Sequence, residues 1–452
     1  MESLRLAVNT QTPLLRFRDV SGTEYKFTTG GVTRMLLPLL KQWLADGTVA
    51  DAEWVALAAD DEARPVIEFE GVRLSFVALP EPEKSQYVIA KERMWELLNS
   101  GPGVPPPEGK ISEDAWIGYD AYQARCAEAM REACERVGSP DLLYVHDFQQ
   151  LGVAGAWRGR ERVPAVFQLH TPYPSSLPRE WDDHFVAGMS KYDAVVVSTR
   201  RYADNLRNAG LKTPIHVIRP FVDPRDSPPA SSTQLERFRS QFHLRDADRV
   251  ILNVGRMDPV KGQDHLIMAL PAVLREVPDA HLVLVGNGSF SSSKTGGLGL
   301  SKGEQWRAAM EALARDLRVD ARVTFTGHLG DEMLPAAYEA SHVFCLPSTR
   351  EGFGLAAIEA WLHARPVVVS DRAGVAELVQ EGEDGLTLDC GDTEALAAAL
   401  VVLLRDPDGA RAMGRAGERT AAQATLPSGR LALERVFEEV LASGTAEVRT
   451  HA

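Results

Sequence analysis

Two groups of residues in this chain have types and spacing suited to chemistry. In LNVGRMDPVKG, Arg256 and Lys261 follow an apolar run that ends at Val254. Gly255 lets the backbone turn there. Two cations five residues apart beyond a strand end can grip a diphosphate, Arg through a planar fork and Lys as a point charge. Ordinary surface ion pairs with Asp258 or Asp264 are the alternative. In PSTREGFGLAAIEAW, Glu351 and Glu359 stand eight residues apart, a little over two helical turns, so both could reach one side of a single cleft. Between them Gly352, Phe353, Gly354 and Leu355 turn into a helix N-terminus, where free backbone N–H groups attract anions. Carboxylates in that setting would contact hydroxyls such as those of sugars and ribose; a capping box or plain surface acids are the alternative.

Weaker candidates lie in the first half: His146-Asp147 in YVHDFQQLGVAG and His170 in AVFQLHTPYPSS. Taken alone, a His at a strand end is more often a satisfied core residue than a catalytic one. The clusters Asp60-Asp61-Glu62 and Asp182-Asp183 read as solvated faces. Neither has a metal-holding context, and Arg256 with Lys261 already supplies the charge that a magnesium ion would.

The elements that must position these residues follow a regular rhythm in the second half. Short β-rich runs at 250–255, 281–286, 322–327, 342–348 and 366–370 alternate with helical periodicity at 262–276 and 304–317. Near-continuous apolar strands alternating with helices predict βαβ units and a parallel sheet covered on both faces. The first half repeats the theme at 4–9, 53–59, 142–146, 164–170, 194–199 and 215–219. A hairpin is expected over 66–79, turning at Glu70-Gly71, and one long amphipathic helix over 113–137 carries Cys126 and Cys134 on one face. Residues 220–233 (PFVDPRDSPPASST) have linker composition. Two α/β domains are therefore expected, 1–222 and 234–426, facing each other across a ligand cleft. A final amphipathic helix, 427–452, follows them. The Gly/Ser-rich stretch 286–303 reads as a flexible surface loop, with a mobile lid as the functional alternative.

The 452 residues carry 49 Lys+Arg and 63 Asp+Glu, a net charge of −14. That balance excludes broad non-specific binding to nucleic acid or anionic membrane, while leaving a locally basic pocket open. Cys126, Cys134, Cys345 and Cys390 form no CxxC pair, so neither a disulfide framework nor a zinc site is expected. The start of the chain lacks the pattern of a signal peptide, and the longest apolar run, Ala395 to Leu404, is half a membrane span; a cytoplasmic protein is expected. No HExxH, P-loop or G-x-S-x-G motif occurs, which removes those hydrolase classes.

The pattern GRMDPVKG, PSTREGFGLAAIEAW and PVVVSDRAGVAELV over about 240–405 resembles the donor half of retaining GT-B glycosyltransferases that use nucleotide sugars. It has the EGFGL form of the broader group with sucrose-phosphate synthases and bacterial mannosyl- and glucosyltransferases. The resemblance implies the GT-B fold, an α/β architecture of two Rossmann-like, doubly wound domains. It implies that Arg256 and Lys261 bind the donor diphosphate, Glu359 the ribose hydroxyls, and Glu351 with the amides of Phe353, Gly354 and Leu355 the donor sugar and phosphate. The first half resembles trehalose-6-phosphate synthases. That likeness implies an acceptor-hydroxyl contact for Asp147, a donor-sugar contact for His170 and a backbone loop at Gly30 and Gly31 against the donor phosphates. Tyr87 and Trp95 would be an aromatic pair around the acceptor. The chain departs from those synthases at Thr10, about where they carry an Arg that helps bind the acceptor phosphate.

The expected reaction is retaining transfer of a hexose, chiefly glucose, from a UDP- or GDP-sugar to a small polyol, sugar or sugar phosphate. No cofactor or metal is expected, nor any nucleic-acid partner or membrane insertion; a homo-oligomer is possible. Pseudo-glycosyl transfer joining cyclitol units is a close variant. A nucleotide-sugar epimerase, a phosphorylase on the same fold and a non-catalytic sugar-nucleotide-binding protein are the rivals. In GT-B enzymes a last helix such as 427–452 crosses back to the first domain.

Overall fold

A computed structural model describes residues 3–17, 25–28, 30–58, 66–100, 110–157, 162–288 and 300–450. Asp60-Asp61-Glu62, most of the 286–303 loop and the Cys134 side chain lie outside the described residues. The chain divides into two compact units. The first holds Met1–Arg219 with Gly429–Ala452, and the second Pro220–Ser293 with Gly297–Ser428.

The strands of the first unit are β1 (Leu4–Thr10), β2 (Leu15–Phe17), β3 (Tyr25–Phe27), β4 (Val49–Leu57), β5 (Ile67–Phe69), β6 (Val72–Val77), β7 (Leu142–His146), β8 (Ala165–Leu169), β9 (Ala194–Val197) and β10 (Ile215–Val217). Eight of them form one sheet in the order β10-β9-β8-β7-β1-β4-β6-β5, while β2 and β3 pair separately. Every neighbour in the large sheet is parallel except β5 and β6. That pair is the expected hairpin: Glu70 and Gly71 both have positive φ, 54° and 80°, as a two-residue turn between twisted strands requires. β7, β8 and β9 are buried along their whole length, because helices cover both faces.

The long helix Glu113–Val137 starts at Ser112, whose side chain accepts the N–H of Ala115 at 3.3 Å. It packs on helix Glu83–Leu98 with Gly118 at the contact, where a Cβ would lie 2.4 Å from Gln86 Cβ. Cys126 is buried in this helical layer. The last helix, Leu426–Thr450, buries Leu433, Val436, Phe437 and Val440. From it, Glu434 accepts the indole N–H of Trp43 at 2.7 Å, Arg430 pairs with Asp46, and Phe437 meets Tyr144 edge-on at 5.2 Å.

The second unit holds β11 (Arg249–Val254), β12 (Ala280–Val285), β13 (Val323–Gly327), β14 (Val343–Leu346), β15 (Val367–Ser370) and β16 (Gly385–Leu388). They form one wholly parallel sheet in the order β13-β12-β11-β14-β15-β16. This is the doubly wound dinucleotide-fold order, which reverses direction between β11 and β14. The first sheet reverses in the same way between β1 and β7. The proline-rich stretch 220–233 is tied down rather than loose: Asp223 accepts from Arg225, and Ser231 with Gln234 forms a capping box that opens helix Ser232–Gln241. Among the described residues, no helix is long and apolar enough to cross a membrane.

Candidate functional site

In a doubly wound sheet, ligands bind beyond the carboxyl ends of the strands where the order reverses. In the second unit that place is the end of β11 and β14, and the two motifs meet there. Lys261 follows β11, Glu351 follows β14, and their side chains form an ion pair across the reversal point, 14% and 15% exposed. Of the expected alternative partners, Asp258 does pair with Arg256, while Lys261 is turned to Glu351. Arg256 Nη1 lies 4.0 Å from Asp258 Oδ2, and its backbone carbonyl is held by Gln263 Nε2 at 2.8 Å. Gln263 is fixed in turn by the indole N–H of Trp306, at 3.0 Å.

Glycines set the path of both loops. Gly262 is left-handed, φ 69°, and a Cβ on it would sit 2.3 Å from the carbonyl oxygen of Pro347, so the Lys261 turn and the β14 loop touch backbone to backbone. Gly354 has φ 108° and opens helix Leu355–Leu362. The Phe353 side chain packs in the core and its carbonyl accepts the N–H of Val375 at 2.8 Å, which together anchor the turn. Because the helix begins only at Leu355, the helical spacing assumed for Glu351 and Glu359 does not apply. Glu351 stands before the helix beside Lys261, whereas Glu359 lies inside it, 5% exposed, accepting the hydroxyl of Tyr338 at 2.7 Å.

In the first unit, His146 ends β7 and His170 follows β8. Their rings stack at 5.3 Å, with His146 Nδ1 and His170 Nε2 3.0 Å apart. Burial holds both imidazoles below the ordinary histidine range; the neighbouring His170 adds to this for His146, while Asp147 pulls His170 back up. Asp147 has φ 69°, rare for a residue with a side chain. Its Oδ1 accepts the hydroxyl of Thr171 at 2.8 Å and the N–H groups of Thr171 and Phe148 at 3.2 Å. Thr10 is spent locally, accepting from Trp54 Nε1 at 2.8 Å and donating to Thr12 O at 2.7 Å. Gly30 and Gly31 lie at the start of helix Gly31–Ala45. Among the described residues, a Cβ on Gly31 would meet nothing within 4 Å, and one on Gly30 only Thr33 Oγ1 at 3.6 Å, so packing against them does not demand either glycine.

A family model described as Glycosyl transferases group 1 matches residues 235–420, and one for Glycosyltransferase Family 4 matches 29–226. Over 355 residues the chain is 30% identical to a D-inositol 3-phosphate glycosyltransferase of Corynebacterium kroppenstedtii, covering 75% of each protein. The chain belongs to the group 1 glycosyltransferases. A GDP-mannose-dependent alpha-(1-6)-phosphatidylinositol monomannoside mannosyltransferase of Mycolicibacterium smegmatis is 35% identical over 192 residues, 41% of this glycosyltransferase and 46% of that protein. Among solved structures, sucrose-phosphate synthase from Thermosynechococcus elongatus superposes with a TM-score of 0.72 at 21% identity, over 97% of this chain and 100% of that one. The trehalose 6-phosphate synthase of Burkholderia multivorans gives 0.77 at 18% identity, over 99% and 98%. These likenesses show the GT-B fold.

One member of an expected pair is corrected. Tyr87 of this glycosyltransferase is 1% exposed, its ring 4.4 Å from that of Tyr122, inside the core between the two long helices; no acceptor can reach it. Trp95, on the same helix, is partly buried against the same core. The signal was present in the sequence: Tyr87, Ala90, Lys91, Met94, Leu97 and Leu98 recur at helical spacing and are the buried stripe. Asp182, read as solvated, instead takes the hydroxyl of Tyr173 at 2.6 Å. Tyr338 and the pairing of His146 with His170 were missed, since each is a contact between distant segments with no local motif.

Proposed function

We propose that this glycosyltransferase moves a hexose from a nucleotide sugar to a small hydroxylated acceptor with retention at C1. The observation that carries the reading is the Lys261–Glu351 pair at the reversal point of the second sheet, with Arg256 on the same loop. In this reading Arg256 and Lys261 neutralise the charge that grows on the leaving diphosphate as the C1–oxygen bond breaks. Glu359 takes the ribose hydroxyls, and Glu351 with the amides of Phe353 to Leu355 holds the sugar and phosphate. Gly30 and Gly31 bring backbone against the donor phosphates. The acceptor oxygen bonds to C1 on the face the diphosphate leaves, and its proton passes to the departing phosphate oxygen. Asp147 orients the acceptor hydroxyl and His170 contacts the donor sugar. No side chain acts as a nucleophile, and no metal is needed in this scheme.

The donor is a UDP- or GDP-hexose and the acceptor a polyol, sugar or sugar phosphate. The names of the relatives, one acting on an inositol phosphate and one using GDP-mannose, favour placing a cyclitol phosphate and GDP-mannose beside glucose donors in the first screen. The spent hydroxyl of Thr10 means that a phosphorylated acceptor would be held elsewhere. The test is a thermal-shift panel of UDP, GDP, ADP and their sugars, followed by a mass-spectrometric acceptor screen. A ligand at a hundred times its Kd stabilises by about 2.7 kcal/mol. Product anomeric configuration, read by NMR, tests retention. An Arg256→Ala protein that transfers sugar at a near wild-type rate would overturn the assignment, and a new sugar nucleotide formed from donor alone would point to epimerisation.

A further inference from the structure

The second unit carries a cationic pocket at the opposite edge of its sheet. It is an open depression of about 130 Å³ lined by Arg239, Arg365, Arg411, His342 and Glu339. His342 immediately precedes β14 and Pro366, also in the lining, immediately precedes β15, so the pocket lies at the amino ends of the strands. Lys261 and Glu351 follow the carboxyl ends of β11 and β14, and the two places are therefore on opposite edges.

The lining is built to donate. Arg365 gives Nη1–H to the carbonyl of Ser341 at 2.9 Å, while its buried Nε has no hydrogen-bond partner among the described residues. His342 Nδ1 accepts the N–H of Val250 at 3.0 Å, which places the proton of the neutral ring on Nε2. Four arginines, Arg239, Arg249, Arg365 and Arg411, act electrostatically on His342 and, after burial, push it down to about 4. Burial and Arg411 also lower Arg365, against a raising effect of Glu339. Two carboxylates oppose this crowding. Glu339 is engaged with the N–H of Ala230 at 2.7 Å and lies 3.4 Å from His363 Nδ1, and Asp408 pairs with Arg411 at the surface at 2.8 Å. Positive charge thus remains in excess in this pocket of a chain whose net charge is −14.

Guanidinium groups match phosphate oxygens through paired N–H donors, and an anion placed among them removes the mutual repulsion. We propose that the Arg239–Arg365–Arg411 pocket is a binding site for a phosphate group, separate from the donor end of the sheet. The ligand is either free phosphate or a phosphoryl group on a small organic molecule.

The experiment is titration calorimetry of the full chain with inorganic phosphate at constant ionic strength set by chloride. It uses an Arg256→Ala/Lys261→Ala background, so that the cations proposed for the donor diphosphate do not contribute. One saturable site per chain is expected. Arg365→Gln and, separately, Arg411→Ala should each weaken it at least tenfold, while Arg275→Ala on an unrelated helix leaves it unchanged. Arg411 is exposed, so its variant keeps the test decisive if Arg365→Gln fails to fold. Competition by glycerol 2-phosphate assigns a carried phosphoryl group, and its failure assigns the free ion; both uphold the site. Absence of saturable binding in the background protein, or binding unchanged in both pocket variants, overturns it. Loss of sugar transfer in the Arg256→Ala/Lys261→Ala protein is a separate readout and bears only on the donor assignment.

Discussion

Replacing Lys261 by Met removes one charge of the pair that joins the β11 and β14 loops while keeping the apolar stem of the side chain. Exposed ion pairs contribute roughly 0.2–1 kcal/mol, whereas stripping one partner from a buried pair costs about 3–5 kcal/mol. With side chains 14% and 15% exposed, Lys261 and Glu351 sit between these limits. We expect Lys261→Met and Glu351→Gln each to lose about 2 kcal/mol of stability, since each leaves a largely buried charge alone. The double variant leaves no charge unpaired and should also lose about 2 kcal/mol instead of 4, a coupling near 2 kcal/mol. Urea unfolding of the four proteins, followed by tryptophan fluorescence, measures the cycle. Transfer activity should behave differently. The rate constant kcat should fall about 100-fold or more in Lys261→Met and stay low in the double variant, because restored packing does not restore the cation. Single-variant losses that add within about 0.5 kcal/mol would show that the pair does not form in solution, and the geometric argument for the site would fail.

Three further outcomes are expected. Gly262→Ala should cost about 2 kcal/mol or more, from the left-handed backbone and a Cβ 2.3 Å from the Pro347 carbonyl, and a lowered urea midpoint would report it. Tyr338→Phe removes the hydroxyl that Glu359 accepts; donor KM should rise about tenfold with kcat little changed, and equal KM values would refute the positioning role. Stability should fall on acidification. His184 and His342 are pushed down to about 4 by burial, so below pH 6.5 the unfolded chain binds protons that the native one refuses. Each therefore withdraws up to roughly 3 kcal/mol between pH 6.5 and 4. Thermal unfolding at pH 7, 6 and 5 should show the decline, and His184→Gln should lessen it.

Much of the fold was legible because its strands are buried on both faces. Runs such as AVFQL at 165–169 and VVVS at 367–370 leave no competing helical period. The Glu70-Gly71 turn was legible for a different reason, since Gly71 marks the break in an alternating apolar stretch and tolerates the positive φ found there. The site was legible only in parts. Arg256, Lys261, Glu351 and Glu359 could be picked out by type and spacing, but Lys261 and Glu351 are 90 positions apart and their meeting depends on the sheet order. Spacing misled where backbone geometry changed between residues: the stretch from Glu351 to Gly354 is not helical, so eight residues did not mean two turns. Tyr87 misled because the likeness to trehalose-6-phosphate synthases was given more weight than the buried helical stripe to which the residue belongs.

The discontinuity of the first unit has a consequence for synthesis. The helix that accepts the Trp43 indole N–H and covers Tyr144 is translated after the whole second unit, roughly 200 residues later. At about 5–20 residues per second a ribosome needs roughly 10–40 s for that distance. During this interval the nascent first unit exposes the apolar faces of Trp43 and Tyr144 that Phe437 later covers, while the second unit can fold to completion beside it. The part made first is thus the part finished last.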